Sequence, residues 1–224
     1  MKPGRHSIGL GDLPKTLPIF PLPGALLVPG GRLPLNIFEP RYLAMTEDAL
    51  AAPDRLIGMI QPAEPEQPGC PPALFSVGCA GRITSFSETD DGRYLITLTG
   101  VCRFSVFEEV ATMRGYRRVV PDFTRWQADL EPADENGAAG IDRTRLLGAL
   151  KHYFAASQIS ADWDAISGTP DSRLVTMLAM FCPFSPQEKQ ALLECETPAD
   201  RSAALVALLE MATAGRPESE RAKH

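Results

Sequence analysis

The stretch from Leu17 to Tyr42 limits the fold more than any other part of the chain. It reads LPIFPLPGALLVPGGRLPLNIFEPRY. Short apolar runs at 17–20, 25–28 and 33–38 are cut by Pro21, Pro23, Gly24, Pro29, Gly30, Gly31 and Pro34. Runs this short, bounded by Pro and Gly, are too short for helices and read as buried strands joined by tight turns. Proline has no backbone donor, so strands holding Pro18 or Pro34 belong at a sheet edge or a bulge. A small irregular barrel meets these demands better than a regular sheet.

The rest of the first half continues the pattern. Pro40 opens a helix, as Pro does at a first helical position. Tyr42, Leu43, Met45, Ala49 and Leu50 give that helix an apolar side, and Ala51–Ala52–Pro53 ends it. Leu56–Ile60 is a strand. Residues 61–72 hold Pro62, Pro65, Pro68, Pro71 and Pro72 and form a loop. Strands follow near 73–87 and 93–99, joined by a hairpin at Asp91–Gly92. Gly100 breaks the second of them. Cys102, Phe104 and Val106 lie on one face of the next strand, and Tyr116–Val120 forms the last, stopped by Pro121. Successive strands with one inserted helix predict an antiparallel barrel.

Past residue 123 the period changes from two to 3.6. Ile141, Leu146, Leu147, Leu150, Tyr153 and Phe154 form a helical stripe. Thr169–Pro170 starts another helix. Ser185–Pro186–Gln187–Glu188 and Thr197–Pro198–Ala199–Asp200 are helix starts with capping chemistry. The predicted organisation is a tail at 1–15, a barrel at 16–123, a linker at 124–140, a helical bundle at 141–214 and a tail at 215–224.

Several of these segments resemble a known family. LPIFPL at 17–22 and PGGRLPLNIFEPRYL at 29–43 are similar to the opening of the N-terminal substrate-binding domain of ATP-dependent Lon proteases, in its stand-alone bacterial form. GRITSFSETDDGRYLITLTGVCRF at 81–104, EKQALLE at 188–194, Arg201 and LVALLE at 205–210 follow in the same order. The resemblance implies an α+β fold: a PUA-like antiparallel β-barrel followed by a small α-helical bundle. It implies a non-catalytic role in protein quality control. The module would bind unfolded or extended protein segments, with a protease system as partner.

Composition and motifs bound the chemistry. The net charge of −6 excludes a global basic field for nucleic acid or anionic lipid. Cysteines at 70, 79, 102, 182 and 195 are odd in number and form no CxxC pair, so neither a zinc site nor a redox pair is expected. They read as reduced, mostly buried thiols. The first 15 residues lack the apolar core of a signal peptide, and no run of about 18 apolar residues occurs. A cytoplasmic protein is expected, with no membrane partner. His6, His152 and His224 stand apart, and no GxSxG, HExxH or GxxxxGK[ST] is present. The PGG at 29–31 leads into a strand, without the helix N-terminus that binds phosphate. The phosphate loop and Ser–Lys pair of complete Lon proteases are also missing. The expectation is no enzyme, no cofactor and no metal.

Two groups of residues remain as candidate sites. Phe38, Glu39, Arg41 and Tyr42 either fix the strand-to-helix corner or line a partner groove with aromatics and Arg. Residues 93–125 are Arg-rich. By analogy with PUA barrels, Arg93, Arg103, Arg114, Arg117 and Arg118 form an alternative RNA-binding patch.

Overall fold

The computed structural model describes residues 9–64, 71–131 and 140–214. Cys70, residues 1–8 and 215–224 of the expected tails, and residues 132–139 of the expected linker lie outside those residues. The chain forms two compact units. One is Met1–Ala133 with Pro183–Leu193, the other Asp134–Cys182 with Glu194–His224.

The first unit is built on six strands: β1 (Leu17–Pro21), β2 (Arg32–Ile37), β3 (Leu56–Ile60), β4 (Val77–Glu88), β5 (Tyr94–Met113) and β6 (Tyr116–Asp122). Their order is β2-β5-β4-β3-β1-β6, and β6 returns to β5. This closure depends on the length of β5. Its first half pairs with β2 and β4, and its second half, from Ser105, pairs with β6. Most pairings are antiparallel. β1 and β3 run parallel, with β2 and helix α1 (Pro40–Ala51) between them in the chain.

Gly100 does not end a strand; β5 runs through it. A side chain there would meet the Val28 carbonyl oxygen at 2.1 Å, so the glycine permits close backbone approach within the strand. Gly30 donates to Gly100 and Gly100 to Gly31, both at 2.9 Å.

The prolines are accommodated one by one. Pro34 lies in β2, which pairs with β5 alone. Pro18 lies in β1, an interior strand. Its pairing to β3 begins only at Ile19, so Pro18 has a neighbour on the β6 side alone. Pro121 continues β6 opposite Val106, beside the irregularity between Val106 and Glu108.

Leu17, Ile19, Leu27, Ile57, Leu98 and Phe104 fill the barrel core. Helix α1 starts at Pro40 and buries Tyr42, Ala44, Met45, Thr46 and Ala49. The Tyr42 and Phe20 ring centroids are 4.1 Å apart. Residues 124–130, expected in a linker, form a 3-10 helix in this unit, with Trp126 buried.

Helix α5 (Pro186–Glu194) departs from the expected bundle, since residues 183–193 belong to the barrel unit. Ser185 and Glu188 form the expected capping box: Glu188 N–H donates to Ser185 Oγ at 3.3 Å and Ser185 N–H to Glu188 Oε2 at 2.7 Å. Beside the buried Leu192 and Leu193, polar side chains tie the helix to the barrel. Lys189 Nζ donates to the Gly24 carbonyl at 2.7 Å, Gln190 Nε2 to the Val77 carbonyl at 3.0 Å, and Gln61 Nε2 to the Pro186 carbonyl at 3.0 Å.

The second unit holds α2 (Arg143–Ala156), α3 (Trp163–Gly168), α4 (Asp171–Phe181) and α6 (Pro198–Ala214). Leu146, Leu150, Leu174, Val175, Leu205 and Leu209 are buried, at the 3–4-residue spacing of helical faces. Asp142 caps α2 by accepting from Arg145 N–H, and Arg143 bonds to Asp171. Among the described residues, no helix is long and apolar enough to cross a membrane.

Candidate functional site

An open strand edge requires a strand with one neighbour, and among the described residues β2 is such a strand. Gly31 already gives its carbonyl to Gly100 of β5. Backbone groups alternate sides along a strand, so Arg32, Pro34 and Asn36 turn theirs to the open side. Pro34 has no N–H to present there, which fits its place at an edge.

The edge ends at Phe38, whose side chain is 61% exposed. Its exposure follows from the corner. Ile37 is the last residue of β2 and is buried, so the alternation throws the next side chain outward. The Arg93 guanidinium lies 6.0 Å from the Phe38 ring centroid, on the long side of a cation–π contact. Arg93 also pairs with Asp91 at 2.8 Å.

Beyond the corner, Glu39 caps α1 through its backbone and gives its carboxylate to Arg41, at 3.0 Å from Nε. The Arg41 guanidinium lies 4.7 Å from the Tyr42 ring centroid. The motif therefore divides. Phe38 belongs with the β2 edge, while Arg41 and Tyr42 line a separate groove of about 70 Å³. Its walls include Pro21, Pro23, Pro62, Pro71 and Pro72, with Tyr116 and Arg117 from β6. Gly115, at φ +88°, holds the left-handed backbone conformation that favours glycine, and it lies against Arg41 Cβ.

Tyr116 donates to Asp48 Oδ2 at 2.8 Å. Burial, then that carboxylate, pushes the phenol up to about 12. Arg117 binds Glu109 through two nitrogens at 2.7 Å each, holding that carboxylate below its usual range. Its remaining Nη1 donates to the Pro72 carbonyl at 2.8 Å.

The Arg-rich stretch does not present five exposed cations. Arg103 is buried, bound to Asp129, and donates to the Leu193 carbonyl at 3.0 Å. Arg114 bridges Glu47 at 2.7 Å and Asp48 at 2.8 Å. Arg118 donates to the Ala111 carbonyl at 3.0 Å. Among the described residues, no three His, Cys, Asp or Glu cluster so as to hold a metal ion. Cys79, Cys102 and Cys182 are buried, and burial pushes the Cys102 thiol up to about 12.

The family model for the ATP-dependent protease La (LON) substrate-binding domain matches residues 16–211. The chain belongs to this family. Lon protease 2 of Myxococcus xanthus is 29% identical over 185 residues, 82% of this chain and 22% of the relative. Lon protease of Anaeromyxobacter dehalogenans is 34% identical over 101 residues, 44% of this chain and 12% of the relative. The chain thus spans about a fifth or less of these relatives' length. Two solved structures share the fold. The Lon N-terminal domain protein from Xanthomonas campestris has a TM-score of 0.55 at 22% identity, covering 90% of this chain and 99% of that one. The N-terminal domain of Mycobacterium avium complex Lon protease has a TM-score of 0.59 at 16% identity, covering 91% and 100%. Within this LON-domain chain, the sequence flagged the β2 edge through Pro34 and the corner through FEPRY. It did not flag the groove, whose prolines come from separated segments.

Proposed function

We propose that this chain is a non-catalytic cytoplasmic module that binds unfolded or extended protein segments and serves a protease system. The observation that carries the reading is the open edge of β2, with an exposed aromatic at its end. An extended segment adds to such an edge by main-chain hydrogen bonds, and side chains beside it supply selectivity. The family's description as a substrate-binding domain supports the reading, as do relatives named Lon protease. The match to a substrate-binding domain over residues 16–211 supports a binding role.

RNA binding is the weaker reading. Arg103 would have to leave a buried ion pair to reach a phosphate, and Arg93, Arg114 and Arg117 already hold carboxylates. The test is fluorescence anisotropy with unfolded-protein peptides and with single-stranded RNA across a salt series. Micromolar peptide binding, about −8 kcal/mol, is expected to change little with salt. RNA binding would weaken steeply, because each phosphate contact releases a counterion. Tight, salt-sensitive RNA binding without peptide binding would overturn the proposal.

A further inference from the structure

We propose that the proline-walled groove is a pocket for one short aliphatic side chain of a bound protein segment, with a carboxylate beside that side chain. This rests on the protein-binding reading above and adds the chemistry of the occupant.

The wall composition rules out one mode of binding. Pro21, Pro23, Pro62, Pro71 and Pro72 have no N–H, so these walls cannot extend a backbone ladder. They offer ring faces instead, and two tyrosines add to them. A groove of this kind takes a side chain, whereas the β2 edge takes a backbone.

Size selects among side chains. An apolar cavity of about 150 Å³ takes benzene. The groove, at about 70 Å³, is near half that, which suits Val or Leu and not an indole.

Charge selects the neighbour. Arg41 and Arg117 are the charged lining residues, and among the described residues no carboxylate lines the groove. The chain as a whole carries −6, and each guanidinium is matched by a carboxylate outside the groove, so the rim offers cationic donors without a net positive charge. Both arginines are already paired, with Glu39 and Glu109, so an acidic ligand residue shares a guanidinium with a carboxylate in place. Its contribution is therefore orientation and selectivity more than affinity.

The experiment uses the full chain and labelled octapeptides with a central Leu or Trp, flanked by Asp or by Lys. The Asp-flanked Leu peptide is expected to bind about tenfold tighter than its Lys-flanked or Trp counterparts. Pro71→Trp, at an exposed position on the rim, should weaken it about tenfold by filling the mouth. Arg41→Gln should narrow the preference for Asp over Lys, because it removes one rim guanidinium and frees the Glu39 carboxylate while Arg117 remains. Tighter binding of the Trp peptides, or equal binding of all peptides to wild type and Pro71→Trp, would overturn the groove assignment. If unfolded protein still binds in that case, the binding-module reading stands alone. If no segment binds at all, both readings fall.

Discussion

Arg103 and Asp129 form a two-pronged ion pair inside the barrel unit. Nε lies 2.8 Å from Oδ2 and Nη2 lies 2.7 Å from Oδ1, with side-chain exposures of 4% and 8%. The Arg103 guanidinium also lies 4.0 Å from the Trp126 ring centroid and reaches the Leu193 carbonyl. One arginine thus ties β5, the 124–130 turn and the end of α5 together. Removing one partner strands a buried charge, which typically costs about 3–5 kcal/mol. Asp129→Leu should lower stability by that amount in urea titration. Arg103→Met with Asp129→Leu should recover part of the loss. A cost under about 1 kcal/mol for the single variant would show that the pair does not hold these segments.

Tyr116 makes stability fall at high pH. Its folded pKa of about 12 lies above the ordinary 10, so the folded state keeps a proton that the unfolded state releases. The contribution is complete below pH 10 and is lost as pH rises from 10 toward 12. A shift of this size corresponds to a contribution on the order of 2 kcal/mol. Tyr116→Phe should be less stable than wild type at pH 8 and lose less between pH 10 and 12. Parallel pH slopes for the two proteins would contradict this.

Two glycine substitutions should act in opposite directions. Gly100→Ala drives a methyl into the Val28 carbonyl and should cost about 3 kcal/mol or more. Gly148→Ala, within α2, meets nothing within 4 Å and should stabilise by about 0.5–1 kcal/mol. Thermal melts of both variants check the pair of expectations.

What the sequence made legible was local. Pro40 at a helix start, the Ser185–Glu188 box and the Asp91–Gly92 hairpin are written in a few adjacent residues. Pro34 marked an edge because its missing donor is a property of one residue. The misread places depend on tertiary partners. Gly100 looks like a strand breaker until the Val28 carbonyl is placed against it. Helix α5 joins the barrel through Gln190 and Lys189, which apolar periodicity passes over. Residues 124–130 look like a polar linker because Asp129 is charged, yet its charge is neutralised by Arg103, 26 positions earlier. The groove has no sequence signature at all, since Pro21, Pro62 and Pro72 meet only after folding.

Thiol accessibility should follow burial. Cys79, Cys102 and Cys182 should react with a thiol reagent only after unfolding, and Cys195, half-buried, should react before them. Native-state labelling resolved by peptide mass reads the order. Labelling of Cys102 ahead of Cys195 would contradict the packing around β5.

The most direct test of the binding module is peptide affinity in Asn36→Pro. Asn36 turns its backbone to the open side of β2, as Pro34 does, so the substitution removes an edge donor without breaking the ladder to β5. Anisotropy with an unfolded-protein peptide should show a loss of about tenfold or more, while the melting curve stays close to wild type. Unchanged peptide affinity in a folded Asn36→Pro protein would contradict binding at the β2 edge.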